Sequence, residues 1–334
     1  MGRRELPPII SATPMPNRPL IVRLRNWVGD VTLGLPLLQR LTNADYSLTL
    51  VGKPWARDLL AGHGWPVHVL PKKLGERVRL LRKLRNEALQ SDSRFCQRIN
   101  AIALPYSFSS ALDMRLAGLR TLGHAHEGRS WLLARSIART NTQHEIANYW
   151  QLGDSLLGAA APLPERIDLR VSGAHQACAT ALIAEHGLSS GFVVVCPFAG
   201  GTFEGQDKTW PGFADFVTKA LPSLGYPIVI CPGPGEAGAA QQHFATAVVM
   251  SNVDLGTYAA LLQAASLMIS NDTGPGHIAA AVGTPVLSVL GPSDPAQWRA
   301  WGPKVHLVQG QQPGRDWPDI GAVLAAAQRL LAQR

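Results

Sequence analysis

The chain has 334 residues, 46% of them hydrophobic and 16% charged, and a formal net charge of +8. The length suits two domains with sizeable cores, and no apolar run approaches the roughly 20 residues that span a bilayer, so a soluble chain is expected. The charge is uneven: residues 1–170 carry 24 Lys+Arg against 13 Asp+Glu (+11), and residues 171–334 carry 7 against 10 (−3). The basic N-terminal half is expected to face an acidic partner.

Residues 1–19 lack a long apolar core and a small-residue cleavage site, which predicts a flexible tail rather than a secretory signal. Leu6 also breaks the myristoylation pattern. Cys96, Cys178, Cys196 and Cys231 form no CxxC pair and are expected as reduced thiols in a cytosolic protein.

In chain order, residues 20–25 (LIVRLR) read as a first strand, 26–30 as a loop and 31–41 as a helix kinked at Pro36. Strands are expected at 46–51 and 67–70. Residues 72–98 form a basic helical region whose apolar positions Leu74, Val78, Leu81, Leu84 and Ala88 recur at helical spacing. That stripe suits either core or a membrane surface. A short strand is expected at 101–104, and the Pro-rich stretch 159–170 is a linker. Residues 20–165 are expected as one domain and 172–334 as a second.

The second series reads as strand 192–197, helix 210–221, strand 227–231, helix 236–247, a short strand near Val248, helix 257–264, strand 267–270, helix 276–282, strand 285–290 and closing helix 321–333. Strands alternating with helices predict an α/β fold of two doubly wound parallel sheets. Ligands in such folds bind at the carboxyl ends of the strands, here in the cleft between domains.

The stretch from Leu267 to Pro295 (LMISNDTGPGHIAAAVGTPVLSVLGPSDP) carries the most chemistry. Asn271, Asp272 and Thr273 suit a helix cap, Pro275 a first helical position and Gly283 a C-terminal cap. Gly274 and Gly276 leave the helix end accessible, and its free N–H groups and partial positive charge suit a diphosphate. Asp30, between strand one and helix one, is read as an N-cap, a cleft-facing carboxylate, or both. A helix N-terminus predicts that it is ionised, and useful mainly through placement.

Lys208 follows a glycine-rich loop, where an ammonium can neutralise phosphate; the spacing is not that of a Walker A loop. Residues 233–238 (GPGEAG) match G-x-G-x-x-G, with Asp254 about 20 residues on, as a dinucleotide site would have it. The flanking prolines and late position weaken that match. No Asp-x-Asp pair occurs, which points to charge neutralisation by Lys208 and helix N–H groups rather than by a divalent metal. His124-x-His126-Glu127 suits a surface loop better than a metal site. The basic run lacks the interleaved aromatics of a nucleic-acid binder.

These residues resemble a known family. IVRLRNWVGDVTLGLPLLQRL, DKTWP and SNDTGPGHIAAAVGTPVLSVLGPSDP are similar to segments of glycosyltransferase family 9, the lipopolysaccharide heptosyltransferases. ALPYSFSSALDMRLAGLRTLGHAHEGR and the Trp27–Asp30 run resemble the heptosyltransferase II branch. The resemblance implies two Rossmann-like domains facing a cleft (the GT-B arrangement) and an inverting, metal-independent transfer of heptose from ADP-heptose to the lipopolysaccharide inner core. It implies Asp30 as base and Lys208 as the phosphate lysine. Thr202, Asp272, Thr273, Gly274, Gly276 and His277 would bind donor, with Arg77 and Arg129 on the acceptor side. No cofactor and no metal are expected. The lipid A-core acceptor implies a cytoplasmic protein in peripheral contact with the inner membrane, with no nucleic-acid partner. The loop before Lys208 and Thr257, where many relatives carry Glu, depart from the family wording. The rival readings are a nicotinamide-dependent oxidoreductase using Gly233–Gly238, a transferase of another nucleotide sugar, and a non-catalytic carbohydrate binder.

Overall fold

In the computed structural model, the first strand (β1, Arg18–Arg23) lies at the centre of a six-stranded parallel sheet, and Leu20 to Arg23 are all buried. A strand covered on both faces needs such a continuous apolar run. The structure describes residues 18–200, 202–203, 206–291, 295–312 and 314–333, with no side-chain account at 202, 203, 206 and 207. Of the expected tail at 1–19, residues 1–17 lie outside the described residues, as does the Thr202 side chain, and Arg18 and Pro19 belong to β1 instead.

The N-terminal sheet is completed by β2 (Tyr46–Gly52), β3 (Val67–Val69), β4 (Ala101–Ala103), β5 (Thr121–Ala125) and β6 (Arg135–Ala138), in the order β3-β2-β1-β4-β5-β6. Helices α1 (Val28–Asn43), α2 (Ala56–Leu60), α3 (Leu74–Ser91), α4 (Phe108–Leu116) and α5 (Glu145–Leu157) accompany it, and α6 (Gly173–Glu185) follows the linker.

The second sheet contains β7 (Val193–Cys196), β10 (Ile228–Ile230), β11 (Val248–Val249), β12 (Leu267–Asn271), β13 (Val286–Leu290) and β14 (Val305–Gln309). Its order is β11-β10-β7-β12-β13-β14. The pairs Thr202–Phe203 (β8) and Gln206–Asp207 (β9) form a small antiparallel ribbon after β7. The accompanying helices are α7 (Phe213–Asp215), α8 (Ala237–His243), α9 (Leu255–Ala264), α10 (Gly274–Ala281), α11 (Pro295–Trp298) and α12 (Ile320–Ala332).

Both sheets thus repeat one doubly wound order, with a reversal between β1 and β4 and another between β7 and β12. Crevices open at such reversals. The expected α/β architecture of two doubly wound units is what the chain forms.

Several local expectations shift. The helix expected from Val31 begins at Val28 and runs past Pro36 to Asn43. The helix expected at 210–221 is a short α7 followed by a π-helical turn (Phe216–Ala220) and a 3-10 turn (Leu221–Leu224). In α3, Val78 is buried, and Leu81 and Leu84 are buried in one cluster with β1 and β2 residues such as Ile21 and Val51. The stripe on the basic helix is therefore core, not a membrane face, and Leu74 alone of the buried-side candidates at its start is exposed. Among the described residues no helix is long and apolar enough to cross a membrane.

The two units share apolar packing through α1, α6, α9 and α10. The Leu169 amide donates to Ala281 O, and Trp301 Nε1 donates to Pro164 O. At Gly256 of α9, a Cβ would meet Asp58 O of α2 at 2.6 Å, so the two helices touch with no room for a side chain.

Candidate active site

The carboxyl ends of both sheets open onto one cavity of about 1040 Å³, lined from the N-terminal side by Trp27, Gly29, Asp30 and Leu33, and from the other by Lys208, Gly233–Ala237, Asp272–Pro275 and His277. The sequence-predicted residues Asp30, Lys208, Asp272, Thr273, Gly274 and His277 thus line one cleft, although they come from distant parts of the chain.

Asp30 is not the cap of α1. The N-cap is Trp27, which makes no side-chain cap bond, and Asp30 lies in the first turn. Arg25 Nε donates to Asp30 Oδ1 at 3.0 Å, and Tyr149 Oη donates to the same oxygen at 2.9 Å. Burial raises the carboxyl pKa, and Arg25 and then Tyr149 oppose it. The helix-end argument predicts a lowered pKa for an ionised Asp30, and burial turns the direction of the shift upward. Arg25 in turn rests on the Tyr106 ring, 4.6 Å from its centroid, and Tyr106 donates to Glu145, which also pairs with Arg139.

Across the cleft, β12 ends in Asn271 and α10 begins at Gly274 after the N-cap Thr273, with Pro275 in the first turn and Gly283 (φ +86°) ending the helix. The two glycines have another use than the one expected. A Cβ on Gly274 would lie 2.9 Å from Val28 Cβ, and a Cβ on Gly276 would lie 2.9 Å from Ser270 Oγ. They let α10 abut α1 and lie close on β12. Gly276 does not line the cavity; Gly274 does.

His277 is almost wholly buried, its Nδ1 has no hydrogen-bond partner among the described residues, and burial pushes its pKa down to about 3. It is neutral at any physiological pH. Asp272 is also buried, which raises its pKa, while the Lys208 charge pulls it back. Lys208 is held in place by the residues after it. Trp210 is buried, its backbone N–H donates to Asn271 Oδ1 at 2.9 Å, and its Nε1 donates to Pro318 O at 3.1 Å. Asn271 Nδ2 donates to Pro197 O, so one buried amide ties the ends of β7 and β12 to the lysine loop.

Arg77 and Arg129 are elsewhere. Arg77 grips Asp113 with two bonds (Nε–Oδ2 2.7 Å, Nη2–Oδ1 3.2 Å) and lines a separate pocket of about 310 Å³ with Arg23, Lys53, Lys72 and Ser109. Arg129 is completely buried and donates to backbone oxygens of His124, Pro105 and Ser107. That burial corrects the expectation of an acceptor contact: Arg129 fastens the loop after β4.

His124 is not on a surface loop. It is buried in β5 beside the backbone oxygens of Ala138 and Asn148. Of the Gly233–Gly238 motif, residues 233–237 line the cleft, but Glu236 is folded back onto the Gly233 N–H, and α8 spans only seven residues. Asp254 caps α9 through Gly256 and Thr257 N–H. The dinucleotide reading therefore lacks both its helix and its free carboxylate. Asp58, His175 and Asp254 bring potential metal-ligand atoms within 4.8 Å of one another, yet Asp254 is spent on the cap and His175 Nδ1 pairs with Ser172 Oγ.

Arg25, Tyr149 and Asn271 are the site residues that sequence reasoning missed. Arg25 lay in plain view, five residues before Asp30. Nothing in the sequence pairs Tyr149 with a carboxylate 119 positions away.

Comparison with known proteins accords with this geometry. The model of glycosyltransferase family 9 (heptosyltransferase) matches residues 94–316. Lipopolysaccharide heptosyltransferase 2 of Salmonella typhimurium strain LT2 is 26% identical over 307 residues, covering 81% of this chain and 82% of that protein. Lipopolysaccharide heptosyltransferase 3 of Escherichia coli is 34% identical over 125 residues, and this match spans only 35% of that protein's length and 34% of this chain. The solved E. coli ADP-heptose lps heptosyltransferase II superimposes with a TM-score of 0.77 at 23% identity, covering 94% of this chain and 99% of that one. Two facing doubly wound units, a cleft carrying the family's late block, and a family match over most of the chain together make this protein a member of glycosyltransferase family 9, the heptosyltransferases.

Proposed function

We propose that the protein transfers heptose from ADP-heptose to the core of lipopolysaccharide, with inversion at the anomeric carbon. The observation that carries this reading is the meeting of two helix ends. Asp30 in the first turn of α1 and Asp272–His277 at the start of α10 border one cavity, with Lys208 beside them.

Both hydrogen bonds to Asp30 go to Oδ1, which leaves Oδ2 for the acceptor hydroxyl. That hydroxyl oxygen attacks the anomeric carbon and its proton passes to Oδ2. The bond between the anomeric carbon and the ADP oxygen breaks, and ADP leaves with the electron pair. Lys208 and the N–H groups of residues 273–277 offset the charge that builds on the diphosphate. Asp272 holds the sugar, and neutral His277 offers a hydrogen-bonding edge without adding charge. Thr202 belongs to the same loop series and is assigned to the donor phosphates by family resemblance.

On the acceptor side, the pocket containing Arg77, Arg23, Lys53 and Lys72 suits anionic groups of a lipid A-linked core. The domains are assigned to 20–165 and 172–334. The protein is assigned to the cytoplasm, against the inner membrane, where such an acceptor is assembled. No metal is required, because an ammonium and helix dipoles carry the neutralisation.

The test is transfer from ADP-heptose to a lipid A-core acceptor, followed by mass spectrometry, with and without chelator. Product in both supports the reading. Product only with added magnesium overturns the metal-free mechanism, and consumption of a different nucleotide sugar overturns the donor.

A further inference from the structure

Helix α4 carries large apolar side chains on its outward side as well as on its inward one. Its inward side holds Ser110, Ala111, Asp113 and Met114, all buried. Its outward side carries Phe108 and Leu116, with the half-buried Leu112 between them, spaced i, i+4, i+8 along one face. Phe108 is 36% exposed and Leu116 44%. Trp131 in the neighbouring 3-10 turn (Arg129–Leu132) is 72% exposed, and its ring lies 6.1 Å from that of Phe108. Large side chains are seldom clustered in water without a partner.

The surroundings say which partner. α3 packs beside α4 with its basic side outward, and Arg82 donates to Leu116 O at 3.0 Å. Arg115 is exposed between the apolar positions of α4, and Lys72 and Lys73 are exposed at the start of α3. Of the acids in this region, Glu127 accepts the Phe108 N–H, Asp113 is buried against Arg77, and Glu76 is exposed on α3. An apolar row with an aromatic pair, ringed by Arg and Lys in the half of the chain that carries +11, complements a surface that is oily within and negative at its edge.

We propose that the Phe108–Leu112–Leu116 face of α4, together with Trp131, rests on an anionic lipid bilayer. The side chains enter the headgroup boundary, while Arg82, Arg115 and Lys73 meet lipid phosphates. This rests on the lipid-linked acceptor of the proposed reaction and names the part of the protein that meets the membrane. The cleft residues lie on other elements, so the lipid face and the donor site can be tested apart.

The full chain is sedimented with vesicles of phosphatidylglycerol and phosphatidylethanolamine, and with phosphatidylcholine vesicles as the uncharged control. Wild type is expected to bind the anionic vesicles in a salt-sensitive way. The triple variant Phe108→Ser, Leu116→Ser, Trp131→Ser is expected to bind them about tenfold or more weakly, with unchanged ADP affinity and an unchanged melting temperature. Arg82→Gln with Arg115→Gln should remove the preference for anionic lipid. Equal vesicle binding by the triple variant overturns the proposal, as does a wild type that ignores anionic vesicles. A wild-type dimer in sedimentation velocity that becomes monomeric in the triple variant also overturns it, by making the occupant a second copy of the chain. Transfer to a soluble, lipid-free core oligosaccharide is measured in parallel. Its loss in wild type strikes the proposed reaction, whereas its retention beside failed vesicle binding strikes only the lipid face.

Discussion

The imidazole of His277 occupies the space that a side chain on Gly29 would need: a Cβ there would stand 3.0 Å from Cδ2 and 3.1 Å from Nε2. The two residues belong to α10 and α1, one from each half of the molecule. His277 is packed on all sides, so it has little freedom to retreat. Gly29→Ala should displace the ring or part the helices. Because placement errors of an ångström lower rates steeply, kcat/KM should fall about ten- to a hundredfold, with the circular dichroism spectrum unchanged. Wild-type kinetics in this variant would show that the contact is not part of the catalytic geometry.

Gly274 meets a harder neighbour. Its missing Cβ would lie 2.9 Å from Val28 Cβ, an atom fixed to the backbone of α1. Gly274→Ala should lower stability by about 1–3 kcal/mol through overpacking, read as a drop in the denaturant midpoint. ADP affinity should also fall, since the same helix end borders the cleft. A midpoint equal to wild type would mean that the helices separate without penalty.

The pH profile tests Asp30 with its sign fixed in advance. In the proposed reaction the carboxylate is the active form, so kcat/KM should fall as pH drops through a pKa that burial has raised. Tyr149 and Arg25 both favour the charged form. Tyr149→Phe should therefore move the acid limb to higher pH, and Arg25→Gln should move it further. His277 contributes no limb near neutrality, because burial holds its pKa at about 3. Asp30→Ala should lower kcat by about a thousandfold while ADP still binds. An acid limb in the same place for wild type and Tyr149→Phe would remove Asp30 from the titration.

Lys208→Ala should weaken ADP binding about ten- to a hundredfold, the range for hydrogen bonds to charged groups, and should lower kcat as well. Isothermal titration would register the first effect and steady-state rates the second. Unchanged binding with lowered kcat would restrict Lys208 to the departing diphosphate in the transition state.

Asn271→Ala removes the acceptor for the Trp210 N–H and the donor to Pro197 O. Leaving buried backbone groups unpaired costs about 1–3 kcal/mol each. The variant should melt earlier and lose the order of the Lys208 loop, visible as faster proteolysis there. A wild-type melting curve would assign Asn271 no clamping role.

The sequence displayed the central strands well, because β1, β7, β12 and β13 are short apolar runs bounded by Gly, Pro or Asn. It hid β5 and β6. Thr121–Ala125 carries a glycine and a histidine, and Arg135–Ala138 is a largely exposed edge strand, so neither shows a hydrophobic period. Helix α6 also escaped. Its cap Ser172 was readable, but its body is mostly small residues with almost no apolar stripe, and only Ala179 is buried.

The candidate site was legible where chemistry is local. Asp30, Lys208, Asp272 and His277 stand beside turn signals at strand ends. Two inferences failed for a shared reason. The glycines before His277 looked like room for a ligand, and Asp30 looked like a cap. The neighbours are protein instead: Val28 of α1 beside Gly274, Ser270 of β12 beside Gly276, and Arg25 with Tyr149 beside Asp30. Contacts such as Asp30 with Tyr149, 119 residues apart, leave no trace in local spacing. Arg129 shows the converse: the family resemblance puts it on the acceptor side, and in the structure it is an internal brace.

The abutment of α1 and α10 has a mechanical corollary. Two aligned stacks of peptide dipoles point their electron-poor tips into the same crevice, and like poles push apart. A doubly charged phosphate chain lodged between those tips turns repulsion into attraction, acting as a keystone in an arch.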